Sequence, residues 1–381
     1  MGRLSLGIMA RSHKEHERRL PLHPRHLTRI PDDLREDVLL EHGYGAGFGV
    51  TDEQLKASVG GFRTAEELYE ECDIILQPKP LLAEIAAMRI GQVLWGWPHC
   101  VQDSELTQVA IDRKLTLIAF EAMNHWNRDG SFNLHVFHKN NELAGYCSVL
   151  HAMQLAGATG DYGRRLSAVV IGFGATARGA VTALDALGVH EIDVLTHRAI
   201  AAVAAPIHCA RIVHFDSDTG NGVSHAVTEE GPVPLARFLS QHDVIVNCVL
   251  QDTDAPVVFM TDDDLWLLRP GSVVVDVSCD EGMGFSWARP TSFTEPTFVV
   301  GDHVLHYAVD HSPSLLWDSA TWENSEALLP FLRPVMDGPE AWDENPTIRR
   351  AIEIRDGSIL NPAIISFQHR APIHPHWPLA T

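Results

Sequence analysis

The sequence predicts an α/β protein with two doubly wound, Rossmann-like domains, a cleft between the domains and long helices that link them. Two series of short apolar strands alternate with helical patterns, which is typical of parallel sheets covered by helices. A glycine-rich turn at residues 172–177 follows the first strand of the second series. The chain has 381 residues, which is enough for two cores because single cores stop growing near about 250–300 residues.

The first series of predicted strands lies near the start of the chain. Helical patterns at 64–72 and 104–113 separate strands predicted at residues 4–9, 38–40, 74–77, 93–97 and 116–120. The helical pattern returns after Pro313, and we expect this later segment to pack on the first domain. The tail from His369 is rich in proline and histidine, so we expect it to be loose or draped on the surface.

The second series follows a helix predicted at residues 142–156. Its strands are predicted at 167–171, 192–195, 212–215, 244–248, 272–277 and 304–307. Six strands with helical crossovers match a dinucleotide-binding domain. We therefore predict a substrate and catalytic domain at residues 1–140 plus 312–381, and a dinucleotide-binding domain at 141–311.

The bulk composition excludes several classes of function. A formal net charge of −21 argues against nucleic acid and against anionic membrane surfaces as partners. The sequence has neither a secretory signal pattern nor an apolar run of the ~20 residues that span a bilayer. Six scattered cysteines without a CxxC pair indicate reduced thiols and a cytoplasmic protein. Pairs of histidines lack a third ligand at a suitable spacing, so we predict no metal site.

The glycine-rich turn has the context of a pyrophosphate-binding site. An apolar strand runs into Gly172 and Gly174, followed by Ala175, Thr176 and Ala177 and then a helix. The first glycine permits the tight turn, the second lets the backbone approach the pyrophosphate, and the small Ala177 lets helix and strand pack closely. The pyrophosphate would lie at the helix N-terminus. The strand–turn–helix order favours this interpretation over an incidental glycine turn.

The end of the next strand predicts which dinucleotide binds. It reads Thr196, His197, Arg198, where an NAD site usually has an acidic residue for the ribose 2′-hydroxyl. Asp193 comes too early in the strand for that role. Because a basic residue accommodates a 2′-phosphate, Arg198, with His197 and Thr196, favours NADPH over NAD. A solvated arginine at a strand end is the alternative.

Three basic residues follow strands or lie in loops of the first domain, where ligand crevices form. Arg19 lies in a loop after the first strand, Lys79 follows the strand at 74–77, and His99 ends the aromatic strand that begins at residue 93. A guanidinium can bind a carboxylate through two parallel hydrogen bonds. A lysine and a histidine near a carbonyl can move protons. Each residue taken singly is more often structural, so the prediction depends on their shared position.

These patterns resemble the alanine dehydrogenase and saccharopine dehydrogenase superfamily over nearly the whole chain to about residue 330. The closest resemblance is to carboxyethyl-ornithine synthase and the lysine-forming saccharopine dehydrogenase. The motifs that carry it are Glu17-Arg-Arg-Leu-Pro-Leu-His-Pro24, Lys79-Pro80, His99, Ala119-Phe-Glu-Ala122, Leu143-Ala-Gly-Tyr146, Val275-Asp-Val-Ser-Cys-Asp280 and Asp310-His-Ser-Pro-Ser-Leu-Leu316.

The resemblance implies a role for each matching residue. Arg19 would bind the carboxylate of a 2-oxo acid, and Lys79 and His99 would transfer protons at the carbon that accepts hydride. Glu121 would lie beside that pair and tune its charge. The resemblance also implies a catalytic role for Asp280, near the nicotinamide, and a cofactor-binding role for Asp310.

The sequence favours a reductase that acts on the CH–NH bond of an N-(1-carboxyalkyl) amino acid, formed from a 2-oxo acid and an amino-acid amine. Glu121, an additional carboxylate near an amine, supports this branch. An alanine dehydrogenase that uses pyruvate and ammonia is the first alternative, and a non-catalytic dinucleotide sensor is the second. The expected partners are small molecules, and an assembly of identical chains is left open.

Overall fold

The computed structural model describes residues 2–197, 209–217, 224–252 and 255–379. The chain divides into two compact units, the first formed by Met1–His138 with Trp317–Thr381 and the second by Lys139–Leu316. Each unit has its own buried apolar clusters. Within the described ranges, no helix is both long enough and apolar enough to cross a membrane.

The described strands and helices alternate along most of the chain. The strands are β1 (Leu6–Ile8), β2 (Val38–Glu41), β3 (Gly61–Arg63), β4 (Ile74–Gln77), β5 (Val93–Gly96), β6 (Thr116–Ala119), β7 (Asn124–Trp126), β8 (Phe132–His135), β9 (Ser167–Ile171), β10 (Glu191–Thr196), β11 (Arg211–Ser217), β12 (Ser224–Thr228), β13 (Gly231–Pro234), β14 (Val244–Asn247), β15 (Val258–Met260), β16 (Val273–Asp276), β17 (Gly284–Phe285), β18 (Thr297–Val300), β19 (Val304–Tyr307), β20 (Ile352–Arg355) and β21 (Ser358–Ile359). The α-helices are α1 (Asp52–Leu55), α2 (Ala65–Glu71), α3 (Leu82–Ala87), α4 (Ser104–Asp112), α5 (His138–Leu155), α6 (Ala175–Ala186), α7 (Leu235–Leu239), α8 (Trp317–Leu328), α9 (Leu332–Met336), α10 (Pro339–Glu344), α11 (Pro346–Ala351) and α12 (Pro362–Phe367).

The first unit is built on an eight-stranded sheet with the order β21-β20-β6-β5-β4-β1-β2-β3. Its strands β1 to β6 pair in parallel, and their order is that of a doubly wound fold. Strands β4, β5 and β6 are buried throughout, as expected for strands covered by helices on both faces. The order of the strands reverses between β1 and β4, and ligand crevices form beyond the carboxyl ends of strands at such a point.

The C-terminal segment completes the first sheet and is anchored to it. Strand β20 pairs antiparallel with β6, and β21 pairs with β20. The tail up to Leu379 is draped on the surface rather than loose, because most of its residues are exposed while Arg370 and His376 are each only 3% exposed. Arg370 donates to the Gln108 side chain at 2.7 Å, and His376 accepts the Ile359 backbone N–H at 3.0 Å.

The second unit is built on a nine-stranded sheet with the order β13-β12-β11-β10-β9-β14-β16-β19-β18. Its six central strands pair in parallel in the doubly wound order. Strands β12, β13 and β18 extend the two edges in antiparallel fashion. The predicted fold class, with two Rossmann-like sheets, is therefore confirmed, and the order of the second sheet reverses between β9 and β14.

Candidate active site

Lys79 and His99 form a hydrogen-bonded pair beyond the carboxyl ends of β4 and β5. The distance between Lys79 Nζ and His99 Nε2 is 2.9 Å. Either an ammonium donates to a neutral imidazole, or an imidazolium donates to a neutral amine. The same two atoms can therefore hold one proton at either position. The His99 side chain is 44% exposed, so a small molecule can reach it.

Glu121, which follows β6, holds the backbone at His99. Its Oε1 accepts the His99 backbone N–H at 2.8 Å and lies 3.8 Å from His99 Nδ1. His99 has a φ of 49°, a left-handed conformation that costs about 1 kcal/mol or more for a non-glycine residue. The hydrogen bond to Glu121 stabilises this conformation. Lys79, His99 and Glu121, predicted as one group, are thus brought together within the first unit.

The loop that carries Lys79 is organised by Glu84, a residue that the sequence analysis missed. Glu84 is 6% exposed, and its carboxylate accepts hydrogen bonds from the backbone N–H of Leu81 at 2.7 Å and from the Gln77 side chain at 2.5 Å. The Ser12 hydroxyl donates to the Lys79 carbonyl oxygen at 2.6 Å. These bonds fix the loop on both sides of Lys79. A glutamate three residues into a short helical pattern could have been identified as an N-terminal cap.

Arg19 lies in the loop after β1, and its guanidinium is buried against a neighbouring carboxylate. Nε and Nη2 donate to the two oxygens of Glu17, at 2.8 and 2.5 Å. The guanidinium also lies 5.1 Å from the ring centre of Trp97. A two-bond clasp of a substrate carboxylate through the same edge requires the pair with Glu17 to open. The predicted substrate-binding role of Arg19 stays a prediction.

In the second unit, the glycine turn has the backbone geometry that its sequence predicts. Gly172, which follows β9, has a φ of +114°, and a Cβ there would lie 3.1 Å from the Cys248 carbonyl oxygen. Gly174 is the N-cap of α6, and a Cβ there would meet no described atom within 4 Å. Ala177 is fully buried in α6. Ala175 and Thr176 form the first turn of that helix.

Two further glycines, which the sequence analysis did not single out, let α5 and α6 approach closely. A Cβ at Gly145 would lie 1.9 Å from the Thr176 carbonyl oxygen, and one at Gly179 would lie 1.7 Å from the Glu142 carbonyl oxygen. Both contacts are far below a normal carbon–oxygen distance, so each position requires glycine. The sequence signal for Gly179 was a glycine within a predicted helix, seven residues after Gly172, the first glycine of the turn. Helix α5 therefore buttresses the helix that begins at the glycine turn.

Two of the residues predicted to read the ribose, Thr196 and His197, lie at the end of β10. Thr196 is buried at the last position of the strand, and the ring of His197 packs against Phe215. Arg198 lies outside the described residues, so its role in NADPH binding stays a prediction. Asp193 is held earlier in the strand, where Arg211 donates to both of its oxygens at 2.7 Å.

The aspartates predicted in this unit lie in loops after β16 and β19. Asp280 is half-buried beyond the carboxyl end of β16, and burial raises its pKa. Asp276, at the end of β16, is fully buried, and burial raises its pKa to about 7, although Asn247 donates to its Oδ1 at 2.9 Å. Asp310 pairs with the buried His311, with 2.6 Å between Oδ1 and Nδ1.

The second unit fits a nicotinamide dinucleotide. Helix α6 spans twelve residues, and its N-cap, Gly174, has no side chain to accept a hydrogen bond from the first-turn N–H groups. N–H groups at the start of a helix can bind a phosphate. The absent Cβ at Gly174 leaves room for the phosphate to approach the backbone. The glycine turn, α6 and the end of β10 would hold the dinucleotide.

Comparisons with known proteins match both units. One family model, the alanine dehydrogenase/PNT N-terminal domain, matches residues 7–144, and a second, the alanine dehydrogenase/PNT C-terminal domain, matches residues 149–362. Similar sequences include the alanine dehydrogenase of Methanococcus maripaludis, which is 25% identical over 89% of this chain and 90% of that protein. The alanine dehydrogenase of Halomonas elongata is 27% identical over 92% of this chain and 93% of that protein.

Solved structures also resemble this chain. An L-alanine dehydrogenase superposes with a TM-score of 0.74 at 20% sequence identity, covering 96% of this chain and 99% of that one. A transhydrogenase from Sinorhizobium meliloti superposes with a TM-score of 0.67 at 19% identity, covering 94% of this chain and 99% of that one. At these identities the superpositions support the fold alone.

Proposed function

Because the chain belongs to the alanine dehydrogenase/PNT family, we propose that it is a nicotinamide-dependent dehydrogenase that interconverts a small 2-oxo acid and ammonia with a 2-amino acid. The names of similar proteins favour this ammonia-using alternative over the N-(1-carboxyalkyl) amino acid that the sequence favoured. The secondary-amine reaction stays a prediction, as does the closer resemblance to carboxyethyl-ornithine synthase and saccharopine dehydrogenase.

The observation that carries the proposal is the 2.9 Å contact between Lys79 and His99. In the direction of amination, ammonia adds to the carbonyl carbon and water leaves from the resulting carbinolamine. The departing hydroxyl needs a proton, and the nitrogen must lose one. A lysine–histidine pair that holds one proton at either atom can give and take these protons. When bound, the dinucleotide supplies the hydride for amination or accepts it in the reverse reaction.

The remaining predicted residues have supporting roles in this proposal. Arg19 would bind the substrate carboxylate by exchanging its bonds with Glu17 for bonds to the substrate. Asp280, whose pKa is raised by burial, would act near the nicotinamide. We further propose that the enzyme prefers NADPH to NADH, and this preference depends on Arg198.

Steady-state assays separate the candidate reactions. Oxidation of NADH or NADPH is followed with pyruvate plus ammonium, and separately with pyruvate plus ornithine or lysine. The proposal expects turnover with ammonium. Turnover only with an amino acid would overturn it in favour of the secondary-amine branch, and dinucleotide binding without turnover on any pair would favour the sensor. The variant His99→Ala should lose most of its turnover, while His190→Ala, at a histidine whose side chain is 68% exposed, is the matched control and should keep it.

A further inference from the structure

A buried glutamate, Glu353, lies close enough to Glu121 for its charge to act on that carboxyl group, and the proposed chemistry does not use it. Glu353 is 3% exposed and lies on β20. The pairing of β20 with β6 matches Ile352 with Ile118 and Ile354 with Leu117, so the register shifts at Glu353. Such irregularities redirect a side chain and are common next to active sites. Asn361 donates to Glu353 Oε1 at 2.9 Å.

Glu353 and Glu121 each have one unsatisfied oxygen. In both residues Oε2 is buried and finds no hydrogen-bond donor within the described ranges. Their strands are neighbours in the sheet, since Glu121 follows β6 and Glu353 lies on β20. An ionised carboxylate that is buried without donors is costly. Two carboxyl groups that share a site cannot both ionise easily, and the pair then keeps one proton.

We propose that Glu353 is a positioning residue of the site, which shares one proton with Glu121 and thereby sets the negative charge that faces His99. The part of this inference that concerns turnover rests on the proposed function, because it requires His99 to transfer protons. The shared proton itself does not depend on the reaction. A lone Glu121 would place its full charge beside His99 at a lower pH.

The electrostatics of the two carboxyl groups agree with a shared proton. Burial raises the pKa of Glu121, and the charge of Glu353 raises it further. Burial also raises the pKa of Glu353, against the hydrogen bond from Asn361. The hydrogen bond from the His99 backbone and the charge of Lys79 oppose the shift at Glu121 without cancelling it. The pair therefore keeps a proton into the neutral range.

The other titratable groups that face the pair come from three neighbouring segments. Lys79 and His99 follow β4 and β5. The thiol of Cys100 has its pKa raised by burial and by both carboxylates. His135, on β8, lies with Nε2 3.2 Å from the Glu121 carbonyl oxygen, and burial lowers its pKa. The variants below leave all four of these groups in place.

Infrared difference spectroscopy tests the shared proton without any substrate. The full chain is titrated while the carbonyl stretch of protonated carboxylic acids is followed. We expect a band that persists into the neutral range in the parent protein and that titrates at least about one pH unit lower in Glu353→Gln, because the like charge is removed. Glu121→Gln should shift it as well. The matched control Glu344→Gln, at an exposed position on α10, should leave it unchanged. A parent protein without this band, or a band that Glu353→Gln does not move, overturns the proposal.

The pH profile of kcat/KM with pyruvate and ammonium tests the consequence for His99. One midpoint of this profile should report the shared proton of Glu121 and Glu353. Glu353→Gln should move that midpoint to lower pH, by the same amount as the infrared band. A purely structural role would lower kcat/KM at every pH without moving the midpoint, and that result overturns the positioning role. A protein that shows the infrared shift but has no turnover contradicts the proposed function and leaves the shared proton established.

Discussion

Replacing Gly174 with alanine should weaken dinucleotide binding and leave the second unit stable. Gly174 has a φ of −82°, which alanine adopts without strain, and a Cβ there would meet no described atom within 4 Å. The loss of a favourable N-cap residue destabilises the fold by about 0.5–1 kcal/mol. The lower entropy of the unfolded chain stabilises the fold by about the same amount. The free energy of unfolding should therefore change by less than about 1 kcal/mol.

The effect of this substitution on binding follows from hydrogen-bond distances. Phosphate oxygens approach backbone N–H groups at about 2.7–3.2 Å, so a methyl group at the N-cap of α6 forces the pyrophosphate to withdraw. A hydrogen bond to a charged group contributes about 1.5–3 kcal/mol. The loss of one such bond weakens binding roughly ten- to hundredfold.

The variant Gly179→Ala is the matched comparison on the same helix. A Cβ there would lie 1.7 Å from the Glu142 carbonyl oxygen, and overpacking of this kind costs about 1–3 kcal/mol. Urea unfolding of both variants and calorimetric titration with NADH and NADPH measure the two effects. Equal dinucleotide affinity in Gly174→Ala and the parent would refute the assignment of the pyrophosphate to this turn. A large loss of stability in Gly174→Ala would refute the conclusion that a Cβ at this position has no close neighbours.

Three more predictions concern single residues. His99→Ala should lower kcat by roughly 10²–10⁴ with little change in dinucleotide affinity, and unchanged kcat would remove His99 from the mechanism. Arg198→Asp should move the ratio of kcat/KM values from NADPH toward NADH, and an unmoved ratio would mean that the 2′-position is read elsewhere. Arg211→Ala should destabilise the protein in urea most at neutral pH. Burial would raise the pKa of Asp193, but the hydrogen bonds from Arg211 and His242 hold it at about 2. This stabilisation is full above the ordinary pKa near about 4 and is lost as the pH falls toward about 2, so the difference from the parent should shrink on acidification. A difference that is constant with pH would contradict the pairing.

The central strands could be predicted because their sequences are continuous apolar runs. Strand β9 and strand β19 begin and end at the predicted residues. Strand β3 spans three residues, contains glycine and arginine, and carries no such run. Strands β20 and β21 are formed by residues more than two hundred positions away from β6, a pairing that local patterns do not encode. In the two large sheets, the strands that were missed therefore lie at an edge or next to one.

The candidate site could be predicted where residues follow parallel strands. Lys79, His99 and Glu121 follow three adjacent strands, so topology alone places them at one edge of the sheet. The pairing of Arg19 with Glu17 could not be anticipated, because it depends on how the loop folds back on itself. Glu353 was missed for a different reason. It lies on β20, an antiparallel strand next to the edge of the sheet and more than two hundred residues after β6. A lone glutamate among apolar residues carries no signal of such a pairing.

The origin of β20 has a consequence for synthesis. The first unit needs residues from both ends of the chain, whereas the second unit is formed by the continuous segment Lys139–Leu316. Domains fold as units as they leave the ribosome. The second sheet can therefore form before β20 is available to pair with β6. The second unit is then complete before the first, although the first unit begins earlier in the chain. Glu353 follows the last residue of the second unit, so a nascent chain acquires the partner of Glu121 only after the whole second unit has been synthesised.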